Sequence, residues 1–416
     1  MNKQAQVVLL SVGSYAKTSD LVYSQMLKLG DFVEDSNEFF VKSFVYLPVA
    51  SCIKRFRQVL PDIEEIKSNI DHEVHFGLTP IRWAGALTFF FRNFLTRLTV
   101  SHLEKAIFKD LDENIPVILN CRNYYSTFVA LQLKARQTRS IKVVFDTRGL
   151  MPFEVPYISW LGSLLYGPFH HWEHKLIHAS DMVLVQSKKS KEYLELVHGD
   201  RANIKFLPIS GFSKIRRQEN LDNRFNTAWN KKQFLYVGSL GHWNDFETLL
   251  NSFSLISSAF DEEIEFLIAA TEPISFSKKD LPFKINFTSI SYDSIHHLYN
   301  ESLALIIGGS TGDEFFSQAN MRINYFSTKA VEALSLGVPL LVNDDLTELA
   351  ELVCSNNCGF TFSLEDEYKR DLADLRRVGQ DKQTWASTSE NAAKIGDQFL
   401  KESVHSAYSN VWRELI

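Results

Sequence analysis

The chain has 416 residues, of which 45% are hydrophobic and 23% charged, and its formal net charge is −6. The length predicts two domains, the composition is typical of a soluble globular protein, and the negative charge argues against a nucleic-acid partner. Four cysteines without paired spacing argue against a disulfide framework and indicate a reducing, cytoplasmic location. The start resembles a β-strand more than a secretory signal, and no apolar run reaches the ~18 residues that span a membrane.

Short apolar runs of β-type composition alternate with longer helical stretches along the chain. The predicted strands are 6–11, 43–47, 116–120, 142–146, 182–186, 234–238, 264–269, 284–287, 303–307 and 338–342. This alternation predicts an α/β fold with two doubly wound domains and parallel sheets. The predicted domains are 1–210 and 233–390, joined by a polar linker at 211–232. The apolar spacing in 391–416 predicts a C-terminal helix that packs back.

Residues that directly follow a parallel strand are the candidates for ligand binding, because ligands bind beyond the carboxyl ends of such strands. In the first half, these candidates are Gly13, Ser14, Arg122, Asp146, Arg148 and Glu154. Gly13 allows a close backbone approach to a ligand, although a plain tight turn fits it equally. For Asp146 and Arg148, the structural alternative to ligand binding is an ion pair at the sheet edge.

Three histidines, His170, His174 and His178, recur at every fourth position of a predicted helix. They share one helix face, and this spacing is compatible with metal binding. A solvated or cleft-lining face is the better interpretation, because the pattern lacks the order of known metal-binding motifs. We predict no metal site.

A second group of candidates lies in the second half. Gly238 and Ser239 follow a predicted strand. Ser327 and Thr328 are good N-cap residues for a helix that runs to 336, and Gly337 is suited to follow its end. A phosphate at this helix start would meet free N–H groups and the Lys329 ammonium. From the residues alone, Lys329 and Glu332 fit a phosphate-and-ribose site and a simple i, i+3 surface pair equally well.

Residues 81–108 mix large apolar and basic side chains. The members are Trp83, Phe89, Phe90, Phe91, Phe94 and Leu98, with Arg82, Arg92, Arg97 and Lys105. This mixture suits a helix lying on anionic lipid. The alternative is a core-facing helix with solvated arginines, which Phe-rich faces favour.

Several of these segments together resemble one known family. Residues 327–339, Ser-Thr-Lys-Ala-Val-Glu-Ala-Leu-Ser-Leu-Gly-Val-Pro, are similar to the Pro-x-Lys-x-x-Glu-x-x-x-x-Gly-x-Pro pattern of family-4 retaining glycosyltransferases of GT-B fold. Residues 236–241 and the Asp146-Thr-Arg148-Gly149 segment with Glu154 resemble further motifs of this group, which builds bacterial surface polysaccharides and glycoconjugates. The resemblance implies two Rossmann-like domains facing a cleft, with the C-terminal helix crossing back.

The resemblance also implies roles for single residues. Glu332 would hold the donor ribose, and Lys329 with the helix start at Ser327 and Thr328 would bind the diphosphate. Further donor contacts would come from Gly13, Ser14, Gly238, Ser239, Ile290 and Arg322. Three positions depart from the pattern: Ser239, Asn244 and Asn324 stand where many relatives have Arg, Lys and Glu.

The implied activity is transfer of a sugar, with retention, from a UDP- or GDP-linked donor to a glycan or lipid-linked acceptor, without a metal or other cofactor. Lys329 and Glu332 would be catalytic residues. From their positions after strands, we expect Asp146 to be a third catalytic residue and Arg122, Arg148 and Glu154 to be acceptor contacts. A lipid-linked acceptor would place the chain at the inner face of the cell membrane. The alternative is a non-catalytic GT-B subunit that binds a glycan or peptide and assists a partner transferase. A sugar epimerase is poorly supported because Asn324 is not a carboxylate.

Overall fold

The computed structural model describes residues 5–16, 22–81, 86–108, 114–158, 162–199, 203–218, 221–238, 246–270, 283–289, 294–308, 319, 322–323, 326–364, 375 and 381–416. The chain divides into two compact units. The first contains Met1–Leu207 and His405–Ile416, and the second contains Pro208–Val404.

The first unit is built on a seven-stranded sheet. Its strands are β1 (Ala5–Val12), β2 (Phe39–Pro48), β3 (Glu73–Thr79), β4 (Val117–Arg122), β5 (Ile141–Asp146), β6 (Met182–Val185) and β7 (Ile204–Phe206). They are ordered β3-β2-β1-β4-β5-β6-β7, and every described pair is parallel. A π-helical turn, Tyr23–Leu27, leads into the first helix. The helices are α1 (Lys28–Asp35), α2 (Val49–Lys54), α3 (Phe56–Ser68), α4 (Ala86–Phe90), α5 (Arg92–Phe108), α6 (Tyr124–Lys134), α7 (Met151–Ile158), α8 (Gly162–Ala179) and α9 (Lys188–His198).

The second unit repeats this plan with a six-stranded sheet. Its strands are β8 (Gln233–Val237), β9 (Glu265–Ala269), β10 (Lys284–Thr288), β11 (Ala304–Ile307), β12 (Leu340–Asn343) and β13 (Gly359–Phe362), in the parallel order β10-β9-β8-β11-β12-β13. The helices are α10 (Lys214–Gln218), α11 (Leu221–Lys231), α12 (Phe246–Ser257), α13 (Ile295–Glu301), α14 (Thr328–Ser335), α15 (Thr347–Asn356) and α16 (Lys382–Gly396). A 3₁₀ turn, Asp397–Phe399, follows, and then α17 (Lys401–Arg413).

Both sheets reverse their strand order beside the first strand of the unit. Gly13 follows β1 with φ +85°, and Gly238 follows β8 with φ +147°. The Gly13 N–H donates to the Tyr46 carbonyl at 3.0 Å, and the Gly238 N–H donates to the Ala269 carbonyl at 3.1 Å. The two glycines therefore occupy equivalent switch points, where open α/β sheets bind ligands. The predicted doubly wound α/β fold is confirmed.

The cores of both units follow from parallel pairing. Helices cover both faces of such a sheet, so its central strands are buried on both faces and mostly apolar. All eight residues of β1 are buried, as are all four of β12. In the second unit, α14 contributes Ala330, Val331 and Leu334 to the core beside β12.

The segment 211–232, predicted as a polar linker, contains α10 and α11 and belongs to the second unit. Arg224 in α11 is buried and donates from Nη2 to the Gly337 carbonyl at 3.0 Å. Burial lowers the pKa of Arg224 to about 10. This polar segment is therefore packed into a folded unit.

The last helix, α17, begins in the second unit, and its residues from His405 onwards belong to the first. Trp412 is fully buried and donates from Nε1 to Asn120 Oδ1 at 3.1 Å. Its ring also packs edge-on against Phe39, with centroids 5.8 Å apart. The end of the chain is thus anchored to the central strand β4 and to β2.

Asp31 in α1 joins that helix to the start of β3. Its Oδ1 accepts hydrogen bonds from the Asp71 N–H at 2.8 Å and His72 Nδ1 at 2.9 Å, and its Oδ2 accepts from Lys28 Nζ at 2.9 Å. Burial alone would raise the pKa of Asp31, but these bonds outweigh it and lower the pKa to about 2. Because the folded pKa is depressed, this stabilisation is present above about pH 4 and is lost as the pH falls through about 2.

We expect Asp31→Asn to lower the free energy of unfolding by about 1–2 kcal/mol at pH 7, because the charge-assisted bonds weaken. In urea titrations from pH 7 to pH 2, the difference in the free energy of unfolding between wild type and Asp31→Asn should shrink below pH 4. Asp35→Asn, on the exposed end of the same helix, is the matched control and should leave stability unchanged. A gap that persists at pH 2 would show that the Asp31 charge is not its source.

Candidate functional site

The start of helix α14 has the features predicted from the sequence. Ser327 is the N-cap, and its Oγ accepts the Ala330 N–H at 3.4 Å. At the other end, Gly337 has φ +74°, and its N–H donates to the Leu334 carbonyl at 2.9 Å. A residue without a side chain is favoured there, because this backbone conformation strains other residues. The helix is therefore fixed at both ends by the residues 327 and 337.

The first turn of α14 carries positive charge without a negative partner. The N–H groups of Thr328 and Lys329 have no acceptor within the helix, as in any α-helix start. No acidic residue lies in this turn. The half-buried Lys329 side chain forms no hydrogen bond or ion pair within the described residues. A cation at the positive end of the helix dipole is unfavourable by itself. An anion bound here would be stabilised both by the Lys329 ammonium and by the helix dipole.

Glu332 lies one turn further along α14 and is only 3% exposed. Its Oε2 accepts a hydrogen bond from Tyr299 Oη at 3.0 Å. Tyr299, in α13, is held in turn by the Phe212 ring, with centroids 5.9 Å apart. In the described contacts, no ion pair links Glu332 to Lys329. The i, i+3 surface pair considered from the sequence is thus not formed.

The other predicted donor contacts are distributed as follows. Gly238 lies at the switch point of the second sheet, and Arg322 is exposed. Ser239 and Ile290 lie outside the described residues, as do Asn244 and Asn324. The structure thus brings Ser327, Thr328, Lys329 and Glu332 together on one helix and leaves the remaining donor assignments as predictions.

In the first unit, five side chains converge at the carboxyl ends of β4 and β5. This strand-end cluster consists of Gln25, Arg122, Asp146, Arg148 and Tyr408. At its centre, Asp146 is 2% exposed, and its Oδ2 accepts hydrogen bonds from Arg148 Nε at 2.8 Å and from Tyr408 Oη at 3.0 Å. Within the described residues, the other carboxylate oxygen, Oδ1, has no hydrogen-bond partner. One oxygen is therefore fixed, and the other is available to a donor.

The Arg148 guanidinium is largely satisfied inside the cluster. Its Nη1 donates to Gln25 Oε1 and its Nη2 to Tyr408 Oη, both at 2.7 Å. The Gln186 amide can also accept from Nη1 and Nε, at 2.9 Å, when its oxygen rather than its nitrogen faces Arg148. Burial opposes the charge, but the Asp146 carboxylate outweighs it and raises the pKa of Arg148. The ion pair raised as the structural alternative is therefore present, and the assignment of Arg148 to an acceptor stays a prediction.

The remaining first-unit candidates lie near this cluster in sequence or space. Arg122 is buried, with Nη1 3.5 Å from Gln25 Oε1. Glu154 is half-buried, and a Cβ placed on Gly149 would collide with its carboxylate. Gly149 has φ +140°, so both its conformation and its contact favour glycine. Gly13 and Ser14 follow β1, the neighbour of β4 in the sheet.

Sequence reasoning missed Gln25, Gln186, Tyr299 and Tyr408. Gln25 lies in the π-helical turn, and no local pattern marks such a position. In the sequence, Tyr408 lies at an apolar position of the last helix and no motif marks it, although burial of a tyrosine normally requires a partner for its hydroxyl. Its burial raises the pKa of that hydroxyl. A search for aromatic residues with a polar group on the apolar face of α17 would have found Tyr408.

Comparison with known proteins adds a family match for part of the chain. Residues 217–395 match the sequence profile of the family Glycosyl transferases group 1. This range contains Gly238, α14 and Glu332. A search of curated proteins gave no match.

Solved structures with similar folds cover the whole chain. Sucrose-phosphate synthase from Thermosynechococcus elongatus is 14% identical, with 99% of each chain covered and a TM-score of 0.65. Anabaena Alr3699/HepE, solved in complex with UDP and glucose, is 14% identical, with 99% of this chain and 100% of that chain covered and a TM-score of 0.59. The UDP-forming α,α-trehalose-phosphate synthase from Burkholderia vietnamiensis is 12% identical, with 99% and 100% covered and a TM-score of 0.62. The predicted GT-B fold is thereby confirmed.

The strand-end cluster leads to a stability prediction. Arg148→Ala would leave Asp146 buried without its cation, so we expect a loss of about 3 kcal/mol in the free energy of unfolding. Lys205→Ala is the matched control, because Lys205 pairs with Glu414 on the exposed surface of the same unit. That change should cost less than about 1 kcal/mol. Urea titration measures both. If Arg148→Ala instead unfolds with the wild-type free energy but binds the acceptor more weakly, Arg148 is an acceptor contact.

Proposed function

We propose that this chain is a family-4-type retaining glycosyltransferase that transfers a sugar from a UDP- or GDP-linked donor to a glycan or lipid-linked acceptor. The proposal places it in polysaccharide or glycoconjugate biosynthesis at the inner face of the cell membrane. The family match over 217–395 and the GT-B fold support sugar transfer from a nucleotide sugar. The positively charged start of α14, which is suited to bind an anion, is the observation that carries the proposal.

The chemical demand of this reaction fits that site. When the glycosidic bond of the donor breaks, negative charge grows on the departing diphosphate. Preorganised N–H donors and a cation stabilise such charge most when they are fixed before the reaction. The Thr328 and Lys329 amides are fixed by the helix, and the Lys329 ammonium has no competing ion pair in the described part of the chain. These groups can act without a metal ion, and we propose that none is required.

Glu332 is proposed to hold the donor ribose. A buried carboxylate is a strong acceptor for ribose hydroxyls, because hydrogen bonds to a charged group exceed neutral ones. The hydrogen bond from Tyr299 fixes the carboxylate orientation. Lys329 and Glu332 lie three residues apart on α14, so their side chains share one side of the helix. The spacing thus suits a ligand with a diphosphate joined to a sugar.

For the first unit, we propose that Asp146 Oδ1 accepts a hydroxyl of the transferred sugar or of the acceptor. Its orientation is set by Arg148 and Tyr408 through the other oxygen. Arg122 and Glu154 are proposed acceptor contacts, and Arg148 would reach an acceptor only by giving up one of its bonds. Positioning of this kind supplies a large part of the rate of group transfer.

Calorimetric titration with UDP, GDP and ADP tests the donor site. We expect one of the three to bind the wild-type chain. Lys329→Ala should weaken its affinity about 10- to 100-fold, because a charge-assisted contact worth about 1.5–3 kcal/mol is lost. Lys394→Ala, on an exposed position of the same unit, is the matched control and should bind as tightly as wild type.

Equal nucleotide affinity in Lys329→Ala and wild type would contradict the proposal that the start of α14 binds the diphosphate. Failure of all three nucleotides to bind would favour the non-catalytic GT-B subunit. Nucleotide binding without turnover of any donor in a nucleotide-sugar panel would also favour that alternative.

Exposed apolar side chains support the proposed membrane contact. Phe90, Phe91, Phe94 and Leu98 are 63%, 57%, 69% and 77% exposed. The core-facing side of α5 is formed by other residues, among them Val100 and Leu103. Trp83 and Arg82 lie outside the described residues. Phe89, by contrast, is 4% exposed and packs against Phe169 and Trp172. The other large apolar side chains of this set that the structure describes do not face the core, which supports a lipid contact for them.

A second exposed set in the same unit has the same chemistry. Ile53, Phe56 and Leu60 on α2 and α3 are 71%, 82% and 67% exposed. The basic residues Lys54 and Arg57 are interleaved with them and are also exposed. Apolar side chains between cations suit the interface of an anionic bilayer. Within the described residues, no helix is both long and apolar enough to span a membrane.

Vesicle co-sedimentation tests the membrane contact. We expect wild type to bind vesicles containing anionic phosphatidylglycerol more strongly than pure phosphatidylcholine vesicles, and less strongly at high salt. Phe91→Ser combined with Phe94→Ser should reduce binding several-fold, because the inserted apolar area is lost. Leu196→Ser, an exposed apolar position on α9, is the control. Equal binding by wild type and the double variant would contradict this surface assignment.

A further inference from the structure

Helices α8 and α9 bring together two histidines and a glutamate that play no part in the proposed transfer. We propose that His170, Glu173 and His198 bind a divalent transition-metal ion, with zinc the best match for two imidazoles and a carboxylate. One ligand atom from each residue lies within 4.8 Å of the others. Glu173 Oε1 and His198 Nε2 are already 3.2 Å apart.

The secondary structure fixes two of these ligands on one face. His170 and Glu173 are three residues apart on α8, so they project from the same side. His198 is the last residue of α9, and the helix ends there at Gly199 with φ +89°. Zinc bonds of about 2.0–2.2 Å place tetrahedral ligand atoms roughly 3.4 Å apart. The three ligand atoms lie within 4.8 Å of one another, so zinc binding requires the half-buried His170 ring to move closer to the other two ligands.

A second layer of contacts orients the ligands. Tyr124 Oη donates to Glu173 Oε2, which leaves Oε1 facing His198. On the far side of the His198 ring, Nδ1 lies 3.1 Å from His174 Nδ1. If His198 carries its proton on Nδ1 and donates to His174, the Nε2 lone pair points towards the metal. Metal-binding histidines are commonly held in this way by a partner on their other nitrogen.

Burial and access also fit a bound cation. The Glu173 and His198 side chains are each 1% exposed. An ionised carboxylate in such a place is costly unless a positive charge compensates it. His170 is half-buried and His174 is exposed, which gives an ion a route from solvent.

The sequence interpretation differed in a specific way. It grouped His170, His174 and His178 on one helix face and expected no metal. The structure instead combines His170 with Glu173 and with His198 from the next helix. The ion would link α8 to α9, which precede and follow strand β6 in the sequence. We therefore expect it to affect the stability of the first unit and not the diphosphate chemistry at α14.

Zinc titration of the full chain after EDTA treatment tests this site. We expect wild type to bind one zinc ion and its melting temperature to rise with zinc, because a ligand that binds only the folded state stabilises it. His170→Ala should weaken zinc affinity at least tenfold and abolish the thermal shift. His171→Ala, the exposed neighbour on the same helix, is the matched control and should behave as wild type.

Tyr124→Phe provides a second measurement, because it keeps all three ligands but removes the hydrogen bond to Glu173. We expect it to weaken zinc affinity about tenfold, as loss of an orienting contact commonly does. Equal zinc affinity and thermal shift in wild type and His170→Ala would overturn the proposal. So would the absence of zinc binding to wild type, which would leave Glu173 and His198 as a metal-free hydrogen-bonded pair.

Discussion

Parallel strand pairing is the constraint on which both units depend. A parallel neighbour is reached through a crossover connection, usually a helix, so the carboxyl ends of all strands in a parallel sheet gather at one edge. In each sheet, the first strand of the unit lies in the interior, and the strand order changes direction beside it. Gly13 and Gly238 follow these two strands and therefore lie at equivalent switch points. Asp146 and Arg148 in the first unit, and α14 in the second, follow strands that end at such an edge. The position of the candidate residues is therefore a consequence of topology.

The two units use charge in opposite ways at that edge. In the first, the Asp146 carboxylate and the Arg148 guanidinium are buried and neutralise each other, with Tyr408 bonded to both. In the second, Lys329 stands in the first turn of α14 without an acidic residue. The first arrangement holds a carboxylate in place, and the second offers a cation and helix N–H groups to an anion. This difference is why we assign the diphosphate to α14.

Sequence patterns predicted the central strands and the ends of α14 well, because these depend on local apolar runs, an N-cap serine and a C-terminal glycine. They missed β3, β7 and β13, which lie at sheet edges and are only partly buried, so their apolar runs are weak. They also missed the contacts of Tyr408 with Asp146 and of Tyr299 with Glu332, because the partners are 262 and 33 positions apart. The charged residues were visible in the sequence, whereas their partners depend on tertiary packing.

The central claim is that α14 binds the diphosphate of a nucleotide-linked donor. A crystal structure of the chain with UDP, or with whichever of GDP and ADP binds, tests it most directly. We predict that the diphosphate oxygens lie within hydrogen-bond distance of Lys329 Nζ and of the Thr328 and Lys329 amides, with a ribose hydroxyl bonded to Glu332. A nucleotide whose diphosphate is bound elsewhere, with no contact to the first turn of α14, would contradict the account.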